Sequence, residues 1–333
     1  MKALVTGGGG YIGRHVVAQL VARGDDVTVL GRHRYPDVEA LGARGVTSDL
    51  GRDDPALAGL FVGMDVVFHT AAMTPIHAPR SAFTAINVDG TRRVIEACRA
   101  AGVSRLVFTS TPSVAHADGD TEGLREEQCP YPDHYESPYA DTKAEAERMV
   151  LAANDATLAT TALRPHIVYG PDEPHMLPRI LARHRAGRLR IIGDGKNRVG
   201  LTYVDNAAAA HVQAGDALAI GSENAGRPYF VTDAEPVVLW SWLNALFAGV
   251  GLPPLERRVS LGTARAIGAV AEAAWAVLPL KGEPPMTRFV ATQLATSHWF
   301  DLSNGRRDFG LAPVVDGDEG LRRTIDWFAG RAG

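Results

Sequence analysis

The chain has 333 residues, 46% hydrophobic and 22% charged, which is ordinary for a globular protein with one large or two modest domains. Its formal net charge is -4 and no dense basic run occurs, so we expect no nucleic-acid partner. The two cysteines, Cys98 and Cys129, match no metal-site spacing and no disulfide framework, so we expect reduced thiols, no bound metal and a cytoplasmic location.

The first half of the chain alternates predicted strands with predicted helices. Residues 2–6 are an apolar run that predicts a strand and leaves no room for a signal peptide. A glycine-rich turn follows, and apolar residues then recur at helical spacing until Gly24. Further strands are predicted at residues 27–30, 65–69, 106–109 and 158–163, and further helices at about 82–101 and from about 139. This alternation predicts right-handed crossovers and a parallel sheet.

After Arg164 and Pro165, prolines and glycines become dense and the regular rhythm is lost. We therefore predict an α/β protein with a Rossmann-type doubly wound parallel sheet in residues 1–168, to which residues of about 199–232 return. Residues 169–333 are predicted to form a smaller mixed α/β C-terminal substrate lobe over the carboxyl ends of the strands. Within it, residues 261–280 predict an unusually apolar helix, which Glu272 and Pro279 make unsuitable for spanning a membrane.

The glycine-rich turn at residues 6–13 predicts a dinucleotide-binding site. Its glycines fit both Gly-x-x-Gly-x-x-Gly and Gly-x-Gly-x-x-Gly, and either spacing lets the backbone turn tightly and approach a pyrophosphate. The N–H groups that open the following helix favour phosphate. Because the turn follows a strand and opens an amphipathic helix, we favour this interpretation over a merely flexible loop. The cofactor contacts predicted here are Gly7, Gly10, Tyr11, Ile12 and Gly13.

The end of the second strand indicates which nicotinamide cofactor is used. An NAD enzyme places Asp or Glu there to bond the ribose 2′-hydroxyl, whereas this chain has Gly31 followed by Arg32. A guanidinium pairs with a 2′-phosphate through charge-assisted, bidentate hydrogen bonds. We therefore predict NADP(H), with Arg32 as the phosphate ligand and Arg34 as a second contact. The alternative is that both arginines are solvated loop residues.

Tyr139 and Lys143 lie four residues apart, on one face of a predicted helix. A phenol with an ordinary pKa near 10 is a poor acid or base at neutral pH. The ammonium of Lys143, together with an oxidised nicotinamide, is expected to lower the pKa of Tyr139. Tyr139 then protonates a carbonyl oxygen as hydride arrives, or deprotonates an alcohol in the reverse direction. The pair and the glycine turn together predict a hydride-transfer enzyme, in which both residues also contact the cofactor.

A hydroxyl-rich segment at the end of a predicted strand supplies a further donor for the substrate oxygen. Residues 109–113 carry four hydroxyl groups, and we predict Thr111 as this donor, with Ser110 and Ser113 as neighbours. Any one of these hydroxyls could instead stabilise a turn.

Taken together, these segments resemble the extended short-chain dehydrogenase/reductases, and the resemblance covers nearly the whole chain. Besides the features above, it rests on residues 48–50 (SDL), 69–72 (HTAA), 87–91 (NVDGT), 164–170 (RPHIVYG), 193–195 (GDG) and 203–206 (YVDN). The contacts that it implies are Asp49 and Leu50 at the adenine, Ala71 and Ala72 at the cofactor phosphates, and Pro165, Ile167 and Val168 at the nicotinamide. It also implies a homodimer formed through a four-helix bundle that contains the Tyr139/Lys143 helix.

Three features indicate the substrate. Dehydratases of this family carry Asp-Glu after the catalytic Thr, whereas Pro112 and Ser113 follow Thr111, so sugar dehydration is disfavoured. The apolar segment 261–280 suggests a wall for a lipid chain, or a face that meets a membrane or a pathway enzyme, although an ordinary core helix is the alternative. Residues 108–114 and 280–289 resemble the bacterial 2-alkyl-3-oxoalkanoate reductases of olefin biosynthesis more than the related 3β-hydroxysteroid and sterol-type dehydrogenases.

The reaction that this resemblance implies is reduction of a 2-alkyl-3-oxoalkanoic acid by NADPH to the 2-alkyl-3-hydroxyalkanoic acid. Because a 3-oxo acid readily loses carbon dioxide, the site must hold and shield the carboxylate. The candidate ligands, by position only, are His77, Arg80, His166 and Arg198. A nucleotide-sugar epimerase with tightly held NAD and a non-catalytic cofactor-sensing binder stay open as alternatives. Gly31-Arg32 argues against the first, and the Tyr139/Lys143 pair argues against the second.

Overall fold

The computed structural model describes residues 1–74, 78–115, 119–135, 137–278 and 284–331. Its strands are β1 (Lys2–Thr6), β2 (Asp26–Gly31), β3 (Arg44–Thr47), β4 (Val66–His69), β5 (Arg105–Thr109), β6 (Thr121–Leu124), β7 (Ala159–Pro165), β8 (Val168–Tyr169), β9 (Ile191–Ile192), β10 (Arg198–Val199), β11 (Thr202–Tyr203), β12 (Arg227–Val231), β13 (Val237–Val238), β14 (Arg258–Val259) and β15 (His298–Phe300). Its α-helices are α1 (Tyr11–Ala22), α2 (Pro36–Glu39), α3 (Arg80–Phe83), α4 (Gly90–Ala101), α5 (Pro138–Ala152), α6 (Met176–Arg185), α7 (Val204–Ala217), α8 (Leu239–Gly249), α9 (Leu261–Val277), α10 (Arg288–Gln293), α11 (Ser303–Phe309) and α12 (Gly317–Ala329).

Seven parallel strands form the central sheet in the order β12-β7-β5-β4-β1-β2-β3. β1 lies between β2 and β4, with Thr6 opposite Leu30 on one side and His69 on the other. The chain runs outward from β1 to β3 and then returns to β4 on the other side of β1. This reversal is the switch point at which open α/β sheets bind ligands. The predicted Rossmann-type doubly wound sheet is confirmed.

Apolar side chains cover both faces of the central sheet. On one face, α1 and α7 pack through residues such as Val16, Leu20 and Ala208, and on the other α4 and α5 pack through Val94 and Val150. All five side chains are fully buried. Burial of a Val or Leu side chain contributes about 1.5–3 kcal/mol, so these two layers fix the strand ends that carry the site.

The C-terminal lobe has its own apolar core, which contains Trp240, Trp242 and Phe247. Its strands β10, β13 and β15 form a mixed sheet with β6 from the first half of the chain, in the order β13-β10-β15-β6, and two parallel pairs, β11-β8 and β14-β9, lie beside it in sequence. The lobe is thus small and mixed α/β, as predicted. β12 pairs with β7 in parallel and α7 packs on α1, so two elements of the second half of the chain belong to the central sheet layer.

The helix predicted at about residues 82–101 consists of three consecutive pieces. α3 is followed by a π-helical turn over Thr84–Asp89 and then by α4. Such π turns are frequent at functional sites. Here the turn places Asn87 between two elements: its Oδ1 accepts the N–H of Met73 at 2.8 Å, and its Nδ2 donates to Thr142 Oγ1 at 3.1 Å. The π turn therefore ties α5 to the segment that leaves β4.

The apolar helix predicted in the lobe forms as α9. One side packs on α10, whereas Ile267, Val270 and Val277 on the other side are 53%, 72% and 81% exposed. α9 is therefore a surface helix with an exposed apolar face, and its interpretation as an ordinary core helix is wrong. Residues 279–283, which include the start of the compared segment 280–289, lie outside the described residues. Within the described part of the chain, no helix has the length and apolarity needed to cross a membrane.

Candidate active site

The glycine turn between β1 and α1 is packed so closely that larger residues do not fit. Gly7 has a φ of +68°, and a Cβ there would lie 2.7 Å from the Cα of Ala71. A Cβ at Gly13 would lie 2.6 Å from Thr70 Oγ1 and would overlap the carbonyl oxygen of Gly7. The N–H of Gly10 donates to that same carbonyl at 2.8 Å. The turn is thus a backbone cradle against the end of β4.

The start of α1 fits the phosphates of a dinucleotide. Its N-cap residue, Gly10, makes no side-chain cap hydrogen bond, and no acidic residue lies in the first turn. The free N–H groups and the positive end of the helix dipole therefore favour an anion. Tyr11 and Ile12 occupy this first turn, and the hydroxyl of Tyr11 is buried without a hydrogen-bond partner among the described residues. The residues present fit a nicotinamide dinucleotide at this turn.

The two arginines predicted at the 2′-phosphate differ in their surroundings. Arg32 is exposed and makes no ion pair within the described part of the chain. Arg34 forms an ion pair with Glu39 on α2, with Nε donating to Oε1 at 2.5 Å. Glu39 also accepts the N–H of Tyr35 at 3.3 Å. Arg32 is therefore available to a phosphate, whereas Arg34 must leave Glu39 to reach one.

The residues predicted at the adenine and the phosphates follow β3 and β4. Asp49 Oδ1 accepts the N–H of Gly51 at 3.0 Å, and Leu50 is buried. The N–H of Ala71 lies 3.4 Å from Thr6 Oγ1, and Ala72 is the next residue along this exit from β4. These segments leave the same edge of the sheet as the glycine turn, which is the ligand-binding edge of this fold.

Tyr139 and Thr111 meet where α5 begins beside the end of β5. The phenol of Tyr139 lies beside the Thr111 hydroxyl, close enough for Thr111 to lower the pKa of the phenol, and Thr111 Oγ1 donates to Ser113 Oγ at 3.3 Å. Lys143, one helical turn after Tyr139, donates from Nζ to the carbonyl oxygen of Thr109 at 2.6 Å and lies 4.0 Å from the ring centroid of Phe108. The structure therefore brings together the three residues that the sequence predicts as catalytic.

Burial dominates the ionisation of this group in the protein alone. It raises the pKa of Tyr139 to about 12, against the opposing hydrogen bond to Thr111. It lowers the pKa of Lys143 to about 7, against the opposing charge of Glu147. The lowering of the Tyr139 pKa was predicted for Lys143 acting together with an oxidised nicotinamide, and it stays a prediction for the cofactor-bound protein. A bound nicotinamide would supply the hydride and, once oxidised, a positive charge that favours the phenolate.

This arrangement suits reduction of a carbonyl group. With its raised pKa, Tyr139 is protonated at neutral pH and can hydrogen bond to a carbonyl oxygen, and transfer of its proton would depend on the charge that this oxygen gains as hydride arrives. Thr111 provides a second hydroxyl beside the phenol, so a carbonyl oxygen placed between them accepts two hydrogen bonds. Ser110, also predicted as a neighbour, is buried and its hydroxyl has no hydrogen-bond partner in the described ranges of the chain. The Ser110 hydroxyl is therefore a further candidate hydrogen-bond donor at the end of β5.

A buried ion pair behind the catalytic helix was not identified from the sequence. Glu147 and Arg164 are 0% and 2% exposed and are joined by hydrogen bonds of 2.6 and 3.0 Å. The hydroxyl of Tyr131 donates to the same carboxylate at 2.6 Å. The pair ties α5 to the end of β7, so it fixes Lys143 relative to the segment that begins at Pro165. The sequence did indicate the position of Glu147 on this helix face, because it continues the four-residue spacing of Tyr139 and Lys143.

A buried histidine supports the other side of Lys143. His211 on α7 lies with Nε2 2.7 Å from the Oγ1 of Thr109, the residue whose carbonyl oxygen accepts from Lys143. Burial lowers the pKa of His211 to about 4, so the imidazole is neutral at physiological pH. His211 is thus a structural support of the β5 end rather than a proton donor, and nothing in the spacing of the sequence indicated it.

The segment predicted at the nicotinamide carries backbone strain. Pro165 ends β7, Val168 begins β8, and Ile167 between them has a φ of +40°. A β-branched residue at positive φ is rare, and such strain is concentrated at ligand sites. His166 is buried, with Nδ1 2.7 Å from the carbonyl oxygen of Gly200.

The predicted ligands of a substrate carboxylate are mostly engaged elsewhere. Arg80 forms an ion pair with Asp141 at 2.8 Å, and the guanidinium of Arg198 lies 5.5 Å from the ring centroid of Trp299. His166 bonds to the main chain as described, and His77 lies outside the described residues. The carboxylate ligand therefore stays a prediction.

Comparison with known proteins places the chain in a family. The model of the 3-beta hydroxysteroid dehydrogenase/isomerase family matches residues 4–261. The chain is 47% identical to the 2-alkyl-3-oxoalkanoate reductase of Stenotrophomonas maltophilia, covering 97% of this chain and 98% of that protein. It is 42% identical to the enzyme of the same name from Shewanella oneidensis, covering 96% and 84%.

A solved structure supports the same assignment. MoeE5 in complex with UDP-glucuronic acid and NAD superposes with a TM-score of 0.73 at 26% identity, over 100% of both chains. The relatives are reductases and dehydrogenases that act on hydroxyl and keto groups, and the glycine cradle and the Tyr139 site provide the residues that such chemistry needs. The chain therefore belongs to the 3-beta hydroxysteroid dehydrogenase/isomerase family of extended short-chain dehydrogenase/reductases and is an oxidoreductase that uses a pyridine nucleotide.

Proposed function

We propose that the protein reduces 2-alkyl-3-oxoalkanoic acids to 2-alkyl-3-hydroxyalkanoic acids with NADPH, as a step in the biosynthesis of olefinic hydrocarbons. The observation that carries the proposal is the pairing of Tyr139 with Thr111 at the sheet edge, in a chain 47% identical over nearly its full length to a 2-alkyl-3-oxoalkanoate reductase. Two hydroxyl donors at one point fit a ketone oxygen, and the absence of an acidic pair after Thr111 fits reduction without dehydration.

NADP(H) is the proposed cofactor because of the charge at the end of β2. Gly31 brings no carboxylate there, and Arg32 is exposed without an ion-pair partner in the parts of the chain that the structure describes. A 2′-phosphate on the ribose would meet one uncompensated guanidinium, whereas a 2′-hydroxyl would find no acidic acceptor at residue 31.

The test runs the reaction backwards, because the hydroxy acid is stable and the oxo acid loses carbon dioxide. Purified protein is mixed with a long-chain 2-alkyl-3-hydroxyalkanoic acid, and cofactor reduction is followed by absorbance with NADP and with NAD. We expect a signal that prefers NADP and needs Tyr139, with Tyr139→Phe as the control. Absence of a signal with either cofactor, from protein that binds NADPH, contradicts the proposed substrate.

A sterol-type dehydrogenase is the second candidate, because the family model that matches the chain is that of the hydroxysteroid dehydrogenases. The same assay with a 3β-hydroxysteroid and a sterol carboxylate separates the two. A higher kcat/KM for either of these than for the hydroxy acid would favour the sterol function.

We further propose that the exposed face of α9 docks on a lipid surface, which would bring the protein to poorly soluble substrates. Ile267, Val270 and Val277 share this face, and the charged residues of the helix, Arg265 and Glu272, bond to the α10 side instead. Exposed Arg257 and Arg258 precede the helix and suit anionic headgroups.

Sedimentation with phosphatidylglycerol vesicles tests this docking. We expect wild-type protein to sediment with the vesicles, the double variant Val270→Glu/Val277→Glu to stay in solution, and Val62→Glu, at a residue 66% exposed elsewhere, to behave as wild type. If the wild type does not bind vesicles, the lipid proposal is wrong. If the double variant changes only the oligomeric state on a sizing column, the face contacts protein and the lipid proposal is also wrong.

A further inference from the structure

The ring of Tyr35 fills the space beside the two glycines that frame the expected ribose site. A Cβ built at Gly9, in the glycine turn, would overlap this ring. A Cβ built at Gly31, at the end of β2, would also overlap it and would lie 2.7 Å from the phenolic oxygen. The ring therefore lies against the backbone of both glycines and bridges the turn to the second strand.

The backbone itself does not require glycine at either position. Neither Gly9 nor Gly31 has a positive φ, in contrast to Gly7 at +68°. An L-residue could adopt these conformations without strain, so the nearby side chain decides what fits. That side chain is the Tyr35 ring, which must move before any residue larger than glycine fits at either position.

Tyr35 is held in this position from several directions. Its carbonyl oxygen accepts the N–H groups of Val38 and Glu39 at 3.1 and 2.9 Å, and its own N–H lies 3.3 Å from the Glu39 carboxylate. The His33 ring lies on it with 5.0 Å between ring centroids, and the Tyr35 side chain packs on the apolar core under the sheet. The main-chain hydrogen bonds fix the turn that carries Tyr35, and its half-buried ring packs against the His33 ring and the apolar core.

Residue 31 is the position at which an NAD-specific enzyme of this fold carries its ribose-binding carboxylate. We infer that Tyr35 restricts which residue position 31 can carry: where the ring lies, it leaves no room for a side chain there, and hence for a carboxylate that would bind NAD. Arg32 is left as the adjacent charged group at the ribose. The inference rests on the proposed NADP(H) preference and supplies its structural cause, which is steric exclusion of the acidic residue rather than attraction by arginine alone.

The experiment is a double-mutant cycle on Gly31 and Tyr35, read by cofactor binding and by thermal unfolding. NADPH and NADH are titrated into wild type, Gly31→Asp, Tyr35→Ala and the double variant, with dissociation constants from nicotinamide fluorescence. We expect Gly31→Asp alone to weaken both cofactors, because the carboxylate cannot reach the ribose past the ring. In the double variant we expect NADH to bind about tenfold more tightly than in Gly31→Asp, which corresponds to one recovered charge-assisted hydrogen bond.

If Gly31→Asp fails to fold, the variant Gly31→Ala still tests the steric conflict with the Tyr35 ring. It adds only the Cβ, so it should lower the melting temperature in the wild-type background and be tolerated beside Tyr35→Ala. Tyr35→Ala alone should keep the NADPH preference, because Arg32 is unchanged. His33→Ala is the matched control, since it removes the neighbouring ring without opening position 31.

The outcomes separate this inference from the cofactor proposal. Equal affinity of the wild type for NADH and NADPH contradicts the proposed cofactor, and the melting temperatures still report on the steric conflict. Additive effects of Gly31→Ala and Tyr35→Ala on the melting temperature overturn the inference, as does tight NADH binding by Gly31→Asp with Tyr35 in place.

Discussion

Removal of the Glu147 charge should destabilise the protein strongly without touching the reacting atoms. The carboxylate accepts two hydrogen bonds from Arg164 and one from Tyr131, and both charged side chains are almost completely buried. In Glu147→Gln the shape is kept but the guanidinium loses its counter-charge. Arg164 Nη1 already lacks a hydrogen-bond partner among the described residues, so nothing nearby is positioned to compensate. Removal of one partner of a buried ion pair lowers the free energy of unfolding by about 3–5 kcal/mol. Because the amide of Gln keeps one oxygen as an acceptor, we expect a loss of about 3 kcal/mol.

The assay is unfolding in urea followed by circular dichroism, with the free energy of unfolding extrapolated to water. Glu145→Gln is the matched control on the same helix: its carboxylate is 47% exposed and pairs with Arg80 at only 3.8 Å. Glu145→Gln should lower the free energy of unfolding by less than about 1 kcal/mol. Glu147→Leu combined with Arg164→Met should recover much of the stability, because both buried charges are then removed together. If Glu147→Gln costs no more than Glu145→Gln, the pair does not anchor α5 and the reasoning is refuted.

The remaining predictions concern the catalytic group and the cofactor turn. Tyr139→Phe should lower kcat about a hundred- to ten-thousandfold, the usual contribution of a general acid, while the NADPH dissociation constant from fluorescence titration changes far less, because the other predicted cofactor contacts remain. Because the folded pKa of Lys143, about 7, lies below its ordinary 10.5, the unfolded chain binds more protons between these values. Stability of the cofactor-free protein should therefore rise with pH in that window, by at most about 1.4 kcal/mol per pH unit, and Lys143→Met should abolish the rise in pH-dependent urea unfolding. Gly7→Ala should prevent NADPH binding and lower the melting temperature, since its Cβ would meet the Ala71 backbone at a φ of +68°. Arg32→Ala should weaken NADPH about tenfold or more and leave NADH unchanged in the same titration.

Local patterns were sufficient to predict much of the fold. The apolar runs predicted β1, β2, β4, β5 and β7, because buried parallel strands are continuous in apolar residues. β3 was missed, since Arg44–Thr47 carries one large apolar side chain, Val46. The π-helical turn was missed as well, because its cause is the tertiary hydrogen bonding of Asn87.

The site was predictable where chemistry depends on residues close in sequence. Tyr139 and Lys143 share one helix face, so their spacing was informative. The raised pKa of Tyr139 in the cofactor-free protein was not predictable from the sequence, because it depends on burial of the phenol in the folded chain. The contact between Glu147 and Arg164 was not predictable either, because the two residues are far apart in sequence. The position of the Tyr35 ring beside Gly31 depends on the shape of an irregular loop, which the sequence does not indicate.

The most direct test of the account is transfer of hydrogen from the cofactor to the substrate carbon. NADPH deuterated at C4, on either face, is mixed with protein and a freshly prepared 2-alkyl-3-oxoalkanoic acid, and the product is analysed by mass spectrometry. The account predicts a 2-alkyl-3-hydroxyalkanoic acid with one deuterium at C3 from one of the two cofactor epimers, and none with Tyr139→Phe. A product without deuterium from both epimers, or the unreduced ketone alone, would contradict the proposal that this protein reduces 2-alkyl-3-oxo acids.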